Sequence, residues 1–389
     1  MVRMLCFVIV MFGLCVVWLS GCADKGDLER GKDAMAKGEY VQAFQSLSRA
    51  LKKDSLNPEV HYYLCLVYAA LDSNEMSLTH YSRIVELGSE LSKDRELRGL
   101  MATLLGIESY PSSIIPMQRM NQFKGAFSPK GDVIAIAASR RDRADLYIST
   151  LDGSDVRRVV SGGMNTDPVF SPDGNAIAFV SDRDGDEDLY LYDLLTTELK
   201  KLTDNSAQDF APAFSPDGEK LAFVSNMDDP NKWEIYVVSI QNGKIARLTD
   251  NNYWDGFPKF TANGQSIVFS SKRGKSEDIY VMRLDGGGLE VLFSSPADDN
   301  DPTLVQEHLF FKSEMDGEWE VYRYNVRNRQ LVRLTNNDLP DWNPRVSQDG
   351  SLLMLARRTK QRWALHVVNV TEPVSPDFIV SQIRKRRFD

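Results

Sequence analysis

The feature that most limits how this 389-residue chain can fold is a turn sequence that keeps returning. It reads Phe127-Ser128-Pro129-Lys130-Gly131, then starts again at Phe170, Phe214 and Phe260, with weaker copies at Leu304 and Val346. Successive copies are 43, 44, 46, 44 and 42 residues apart. Pro at the first corner, Asp or Asn at the second and Gly after it are what a tight turn between strands requires. Each copy leads into an apolar strand: Ile134-Ala135-Ile136, Ile177-Ala178-Phe179, Leu221-Ala222-Phe223, Ile267-Val268-Phe269, Leu309-Phe310-Phe311 and Leu353-Met354-Leu355. A third strand opens at Leu146-Tyr147, Leu189-Tyr190, Ile235-Tyr236, Ile279-Tyr280, Val321-Tyr322 and Leu365-His366. A fourth is clearest at Leu202-Thr203, Leu248-Thr249 and Leu334-Thr335. Six units of four short strands, each able to bury its faces only against its neighbours, predict a mainly β chain built as a six-bladed β-propeller of four-stranded blades.

A second period, of 34 residues, precedes the first. Gly31 and Cys65, Ala43 and Ser77, Leu47 and Tyr81, and Ala50 and Ile84 stand 34 apart. Small residues at such positions let paired helices cross closely. Gly38-Glu39-Tyr40, Ala43, Leu47 and Ala50, with Asn57-Pro58 opening the next unit, resemble a tetratricopeptide repeat. The second unit, from Pro58 to about Gly88, is less regular and has His61 at an aromatic position. An amphipathic stretch from about Ser92 to Leu105 is expected to cap the pair. The expected division is a leader over 1–21, an all-α tetratricopeptide-like domain over 24–108, and a propeller over 112–389, with Tyr110-Pro111-Ser112-Ser113 at the boundary. Residues 112–116 are expected to supply the outer strand of the last blade, with Phe378–Ile383 as the competitor.

The motif Asp-x-x-Pro-x-Phe-Ser-Pro-Asp-Gly, followed by Ile-Ala-Phe, Ser-Asp-Arg-Asp-Gly, Leu-Tyr and Leu-Thr, resembles the WD-like repeats of the TolB family over roughly residues 117–372. The likeness implies an envelope protein that binds other proteins. It leaves out the N-terminal domain of that family, which the helical repeats replace.

Arg3 precedes an apolar run from Met4 to Leu19 that suits a secretory signal better than a membrane span. Leu19-Ser20-Gly21-Cys22 then resembles a bacterial lipobox, which makes Cys22 the expected lipidation site and implies a membrane anchor without a span. Ala23 is compatible with sorting to the outer membrane, so the expected location is the cell envelope, lipid-anchored and periplasm-facing. Cys6 and Cys15 fall in the leader, leaving Cys65 alone in the mature chain and no internal disulfide. The formal net charge of −9 and the lack of a basic stripe argue against nucleic acid. Arg384-Lys385-Arg386-Arg387 is read as a solvated tail.

No Gly-x-Ser-x-Gly elbow, His-Glu-x-x-His, phosphate loop or paired-Cys motif occurs, and the four His residues are scattered. The expectation is a protein that is not an enzyme and uses no cofactor or metal. Asp182, Asp184, Asp186 and Asp188 alternate as a calcium loop would, but Gly185 and Glu187 break the pattern, and a polar turn is expected. Two columns remain as candidates. Three residues before the Pro of each unit stand Asn165, Asp209, Asp255, Asp299 and Asp341, with Gln122 in the first blade. This column predicts either side chains that cap their turns or bond the backbone of a neighbouring blade, or an acidic rim around one channel mouth that receives a basic peptide or a cation. Trp233, Trp319 and Trp363 precede the third strands, and Trp254 and Trp342 flank the acids, on the same face. Aromatics beside charges are what protein interfaces select. The sequence therefore predicts a scaffold whose propeller mouth takes a protein or peptide partner, or, alternatively, a glycan or small ligand.

Overall fold

The structure, a computed structural model, describes residues 26–386 apart from 118–119, 140–142, 338 and 359–361. Cys22 and the leader lie outside the described residues. The chain forms two compact units, one of Met1–Pro111, Arg329–Leu331 and Glu372–Asp389, the other of Ser112–Asn328 and Val332–Thr371.

The helical unit is built from α1 (Asp27–Ala36), α2 (Tyr40–Lys53), α3 (Pro58–Ala70), α4 (Asn74–Glu86), a 3₁₀ turn over Glu90–Lys93, α5 (Arg95–Leu105) and α6 (Pro376–Arg386). Asn57 starts α3 by accepting from the Glu59 and Val60 amides, with Pro58 at the position where a missing N–H costs nothing. Asp94 accepts from Leu97 N at 2.8 Å to start α5. The period of 34 marks close crossings. A Cβ on Gly31 would stand 2.6 Å from Leu47 Cγ, so only glycine fits between α1 and α2. In the next pair Ser77 donates to Cys65 O at 2.8 Å, holding α3 to α4 at the equivalent place.

The chain's last element corrects two expectations. Phe378–Ile383 is neither a strand nor part of the propeller but lies within α6, whose Ile379, Val380 and Ile383 are buried in the helical core with Val374. That spacing is a helical stripe, not an alternation. Arg98 secures the segment by donating to Pro373 O at 2.9 Å. Nor is the basic stretch simply solvated: Arg386 donates to Leu104 O at 3.1 Å and approaches Glu75 at 3.7 Å. Arg384, Lys385 and Arg386 form the last turn of α6, where cations oppose the negative helix end. Arg387 lies outside the described residues.

The propeller has six four-stranded sheets. Blade 1 is β2 (Asn121–Phe127), β3 (Val133–Ser139), β4 (Ala144–Thr150) and β5 (Val156–Val160). Blade 2 is β6 (Asn165–Phe170), β7 (Ala176–Ser181), β8 (Asp188–Asp193) and β9 (Leu199–Lys201). Blade 3 is β10 (Asp209–Phe214), β11 (Lys220–Ser225), β12 (Glu234–Ser239) and β13 (Ile245–Arg247). Blade 4 is β14 (Asp255–Phe260), β15 (Ser266–Ser271), β16 (Asp278–Arg283) and β17 (Glu290–Phe293). Blade 5 is β18 (Asp299–Val305), β19 (His308–Ser313), β20 (Glu320–Asn325) and β21 (Leu331–Arg333). Blade 6 is β22 (Asp341–Val346), β23 (Leu352–Arg358) and β24 (Trp363–Asn369), with β1 (Ser112–Ile114) as its outer strand. Ser112, Ser113 and Ile114 pair with Val368, Val367 and His366, so the ring closes through the N-terminal segment, as the sequence favoured.

The Ile-Ala-Phe motif has a plain physical meaning. Alternate residues of a strand face opposite ways. Ile177 and Phe179 pack against Ala135 and Ala137 of blade 1, while Ala178 packs with Phe223 of blade 3. The second strands of blades 1 to 3 thus offer bulk to one neighbour and a small alanine face to the other, whereas Val268, Phe310 and Met354 fill that position in blades 4 to 6.

Candidate functional site

Register fixes one face of the ring. In blade 3, Asp209 pairs with Ser225, and Ser225 with Glu234. Blade 4 repeats this with Asp255, Ser271 and Asp278, and blade 5 with Asp299, Ser313 and Glu320. The starts of first and third strands therefore share one end of each blade, and both candidate columns lie there.

The acids do not form an open rim. Asn165, Asp209, Asp255, Asp299 and Asp341 are each 0% exposed, and Gln122 is 2%. Most of the polar atoms bond within their own blade or the loop before it, and those of Asn165 and Gln122 also reach a neighbouring blade. Ser181 Oγ and Arg183 Nη2 each donate to Asn165 Oδ1 at 2.9 Å, and Asn165 Nδ2 donates to Ala144 O of blade 1 at 2.8 Å. Asn205 donates to Asp209 at 3.1 Å. Asp255 accepts from Ser271 Oγ and from Asn251 Nδ2, the latter at 2.7 Å. Arg357 grips Asp341 through Nε at 2.7 Å and Nη2 at 3.1 Å. Gln122 joins blade 1 to blade 6 by accepting from Leu365 N at 3.3 Å and donating to Ile115 O at 3.0 Å. Burial raises Asp209 and Asp255 above the ordinary carboxylate range and pushes Asp299 up to about 6. The sequence weighed caps against a receptive rim; burial leaves these side chains no surface on which to act as a rim.

The tryptophans are placed differently. Trp233, Trp254, Trp319, Trp342 and Trp363 are all half-buried, so each both packs and shows a surface. Trp319 and Trp342 lie 6.1 Å apart by ring centroid, and Lys312 Nζ sits 4.5 Å and 4.2 Å from the two rings. Cation–π attraction offsets the cost of burying that ammonium, whose pKa burial lowers. Trp254 meets Phe257 edge-on at 5.7 Å and covers Gly256, where a Cβ would fall 2.4 Å from the indole. Trp233 meets Phe210 at 5.1 Å, and the guanidinium of Arg358 stands 6.0 Å from Trp363. The structure thus brings Trp319 and Trp342 together, while the other three pair with side chains of their own surroundings.

The alternating acids after Ser181 serve as a turn. Asp182 accepts from Met164 N at 2.6 Å, Asp184 accepts from the Tyr190 hydroxyl at 2.5 Å, and Asp188 pairs with Lys201 at 2.8 Å. The Tyr hydroxyl bond recurs as Tyr236 to Asp228 and Tyr322 to Asp316, both 2.8 Å.

Reasoning from the sequence missed the charged lining of the channel. Two residues beyond the column, Asp167, Ala211, Phe257, Asp301 and Asn343 all have φ between 50° and 52°. Each sits in a bulge immediately before a Pro, where strand pairing shifts. From these bulges Asp167 and Asp301 meet bases of other blades. Lys124 Nζ is 2.5 Å from Asp167, and Arg345 Nη1 is 3.0 Å from both oxygens of Asp301. Arg345 Nη2 is also 4.0 Å from Asp167, although blade 1 separates their blades, so these side chains meet across the channel. Burial alone would raise Asp301, but Arg345, Lys259 and Lys312 outweigh it and hold the carboxyl low. The signal was present in the sequence: the residue before each Pro of the Asp-x-x-Pro motif, and Lys259 and Arg345 just after it.

A model of the TolB beta propeller domain matches residues 104–208, 186–307 and 258–377. Among solved structures, TolB from Acinetobacter baumannii is similar at 20% identity over 76% of this chain and 70% of its own, with a TM-score of 0.52. An oligogalacturonate lyase from Vibrio parahaemolyticus is similar at 10% identity over 67% of this chain and 93% of its own, with a TM-score of 0.51. At these identities the likeness is one of fold. None of the curated proteins compared with the chain matches it. No helix among the described residues is long and apolar enough to cross a membrane.

Proposed function

This chain belongs to the TolB β-propeller domain family, and from that premise we propose that it is a non-catalytic interaction scaffold of the cell envelope, tethered by lipid on Cys22, whose propeller mouth takes a partner peptide or protein. The observation that carries the reading is the Trp319–Trp342 pair, half-buried and braced by Lys312. Rigid aromatics that keep part of their surface are the residues that dominate binding energy at protein interfaces. The reading therefore rests on the aromatics and no longer on the acids. Replacing Asp255, Asp299 and Asp341 with Asn would be read mainly as a change in stability, because all three are buried.

Half-exposed indoles also suit a sugar, which keeps a glycan or small ligand as the second reading. One experiment separates the two: the intact protein is isolated from cross-linked envelopes and its partners are identified by mass spectrometry. The expected result is a protein partner whose affinity drops about 30-fold or more in the Trp319→Ala, Trp342→Ala double variant. Retention on cell-wall polysaccharide with no protein partner would replace the scaffold reading with the glycan one. The anchor has its own check. Metabolic palmitate label should enter the protein and be absent from Cys22→Ser; label that persists in the variant removes the tether from the proposal.

A further inference from the structure

Three junctions between blades share one device, and a fourth lacks it. In blades 2, 3 and 5 the third strand opens with an acid, Asp188, Glu234 or Glu320. The column acid of the next blade, Asp209, Asp255 or Asp341, stands beside it, because its amide bonds the carbonyl just before that acid. Eight, six and four residues before the column acid come a base, a threonine and an asparagine: Lys201, Thr203 and Asn205, then Arg247, Thr249 and Asn251, then Arg333, Thr335 and Asn337. The base pairs with the third-strand acid at 2.8, 3.1 and 2.7 Å. The asparagine donates to the column acid at 3.1, 2.7 and 3.2 Å. One cation and a set of neutral donors thus hold two buried carboxylates at each of these junctions.

The junction from blade 4 to blade 5 keeps the acids, Asp278 and Asp299, and has Val291, Phe293 and Ser295 in place of all three partners. Asp299 N donates to Glu277 O at 2.8 Å, which sets the two acids side by side as elsewhere. Asp299 is 0% exposed, yet neither of its carboxylate oxygens has a hydrogen-bond partner, and Asp278 Oδ1 has none either. Ser295 and Ser313 lie near Asp299 and ease its charge without completing a hydrogen bond. The bases nearby are engaged with other acids: Lys272 stands 3.7 Å from Asp298, Arg273 3.6 Å from Asp255, and Lys312 faces Asp301 and Glu277. Among the described residues no base comes within 4.0 Å of Asp278 or Asp299. The charged neighbour that acts most on Asp299 is Asp278 itself. Buried carboxyl oxygens left without donor or cation are costly.

Room and access come from the same replacements. Val291 is too short to reach where the guanidinium of Arg247 or Arg333 lies in its own junction, and Ser295 is shorter than asparagine. Phe293 turns its ring into the packing of blade 5, 4.5 Å from Phe311 and 4.9 Å from Tyr324. Asp278 is accordingly half-buried, whereas Asp188, Glu234 and Glu320 are at most 1% exposed, so a small ion can reach the pair from solvent through Asp278. We infer that the junction of blades 4 and 5 binds a hard divalent cation of the calcium class between Asp278 and Asp299. Two carboxylates match its charge, and oxygen donors select such ions. No group of three or more His, Cys, Asp or Glu side chains gathers as a metal site among the described residues. The remaining ligands are therefore serine hydroxyls, carbonyls and water, an irregular set that calcium accepts more readily than magnesium. The ion takes the part that Lys201, Arg247 and Arg333 play in the other junctions.

The test supplies the metal alone. The full chain, stripped with a chelator, is melted in calcium chloride and in sodium chloride of equal ionic strength, with unfolding followed by tryptophan fluorescence. At about ten times its dissociation constant, calcium should raise the melting temperature by about 4 °C. Asp278→Asn and Asp299→Asn should each abolish the rise. A double variant, Val291→Arg with Ser295→Asn, restores the base and the asparagine of the other junctions. It should melt higher than the parent without metal, and calcium should add nothing to it. Both acids stay in place there, so the double variant reports even where an acid variant fails to fold. No rise with calcium is the result expected if Asp299 merely keeps a proton. That result, an equal rise in sodium chloride, or an undiminished rise in Asp278→Asn or in the double variant would overturn the proposal. None of them touches the tryptophan-dependent partner capture, so the two readings can fail separately.

Discussion

The helical unit and the propeller bury polar groups in opposite styles. In the propeller, buried polar side chains recur at one register in blade after blade, and Asn165, Asp209, Asp255 and Asp341 are met by a serine, an asparagine, a serine and an arginine. In the helical unit one buried pair of polar side chains occurs once: His61 Nδ1 and His80 Nδ1 lie 2.7 Å apart, with Tyr68 stacked on His80. Two ring nitrogens that close must share one proton, so one ring donates and the other accepts. A repeated contact tolerates the loss of one copy's geometry better than a unique one does, because five other blades still define the register. The unique contact has no such reserve, and it can be switched by protons.

The sharpest way to break this contrast is to strip one buried propeller acid of its partner. Arg357→Met leaves Asp341 buried without its bidentate base, and the expected loss is about 3–5 kcal/mol. Every tryptophan among the described residues lies in the propeller, so urea unfolding followed by fluorescence reads this unit alone. A midpoint within error of the parent would mean that the ladder of neighbouring blades, and not the ion pair, holds the register.

Acid should part the two units next. His80 is held down to about 4 by burial and by His61, against an ordinary 6.5. The unfolded chain then binds the proton first, so this stability is full above about pH 6.5 and lost as pH falls toward 4, by about 2–3 kcal/mol in all. In the propeller the buried acids, Asp209 and Asp255 raised in the same direction as Asp299, oppose His366. Asp299, raised to about 6 by burial, adds stability as pH falls below that value, while His366, lowered to about 4 by burial and Arg357, removes it. Between pH 7 and 5 the helical signal at 222 nm should therefore lose midpoint while the fluorescence midpoint stays nearly level. Parallel losses would show that the histidine pair is not the cause.

Smaller effects sharpen the helical side. Gly31→Ala drives a methyl into Leu47 and should cost about 1–3 kcal/mol in thermal unfolding at 222 nm. Asn57→Ala removes the cap of α3 and should cost about 1 kcal/mol in the same signal. If the Asn57 change proved the larger, the period of 34 would reflect helix starts and not close crossings.

These differences also explain what could be read in advance. Repetition made the blades, the closing strand and the Asn/Asp column visible in the sequence, since each position is stated several times over. It did not show which way the column faces, because a capping acid and a ligand-binding acid have the same letter and the same spacing. The strand for Phe378–Ile383 failed because Ile379, Val380 and Ile383 are too few to separate period 2 from period 3.6 without knowing the partner. The His61–His80 contact was invisible because neither residue repeats. The channel bases lay within the motif but were passed over, since they vary from blade to blade more than the Asn/Asp column does.

Closure through Ser112–Ile114 bears on how the molecule is made. A ribosome produces this strand before any other in the propeller, yet its partner, Trp363–Asn369, is the last strand to emerge. The first-made edge must wait, unpaired, through the synthesis of every intervening blade. Chain ends arriving late and far apart make such pairing slow. A truncation anywhere in the last blade would therefore leave five complete sheets in an open arc with two sticky edges, and aggregation would be expected to reveal it before any loss of binding does.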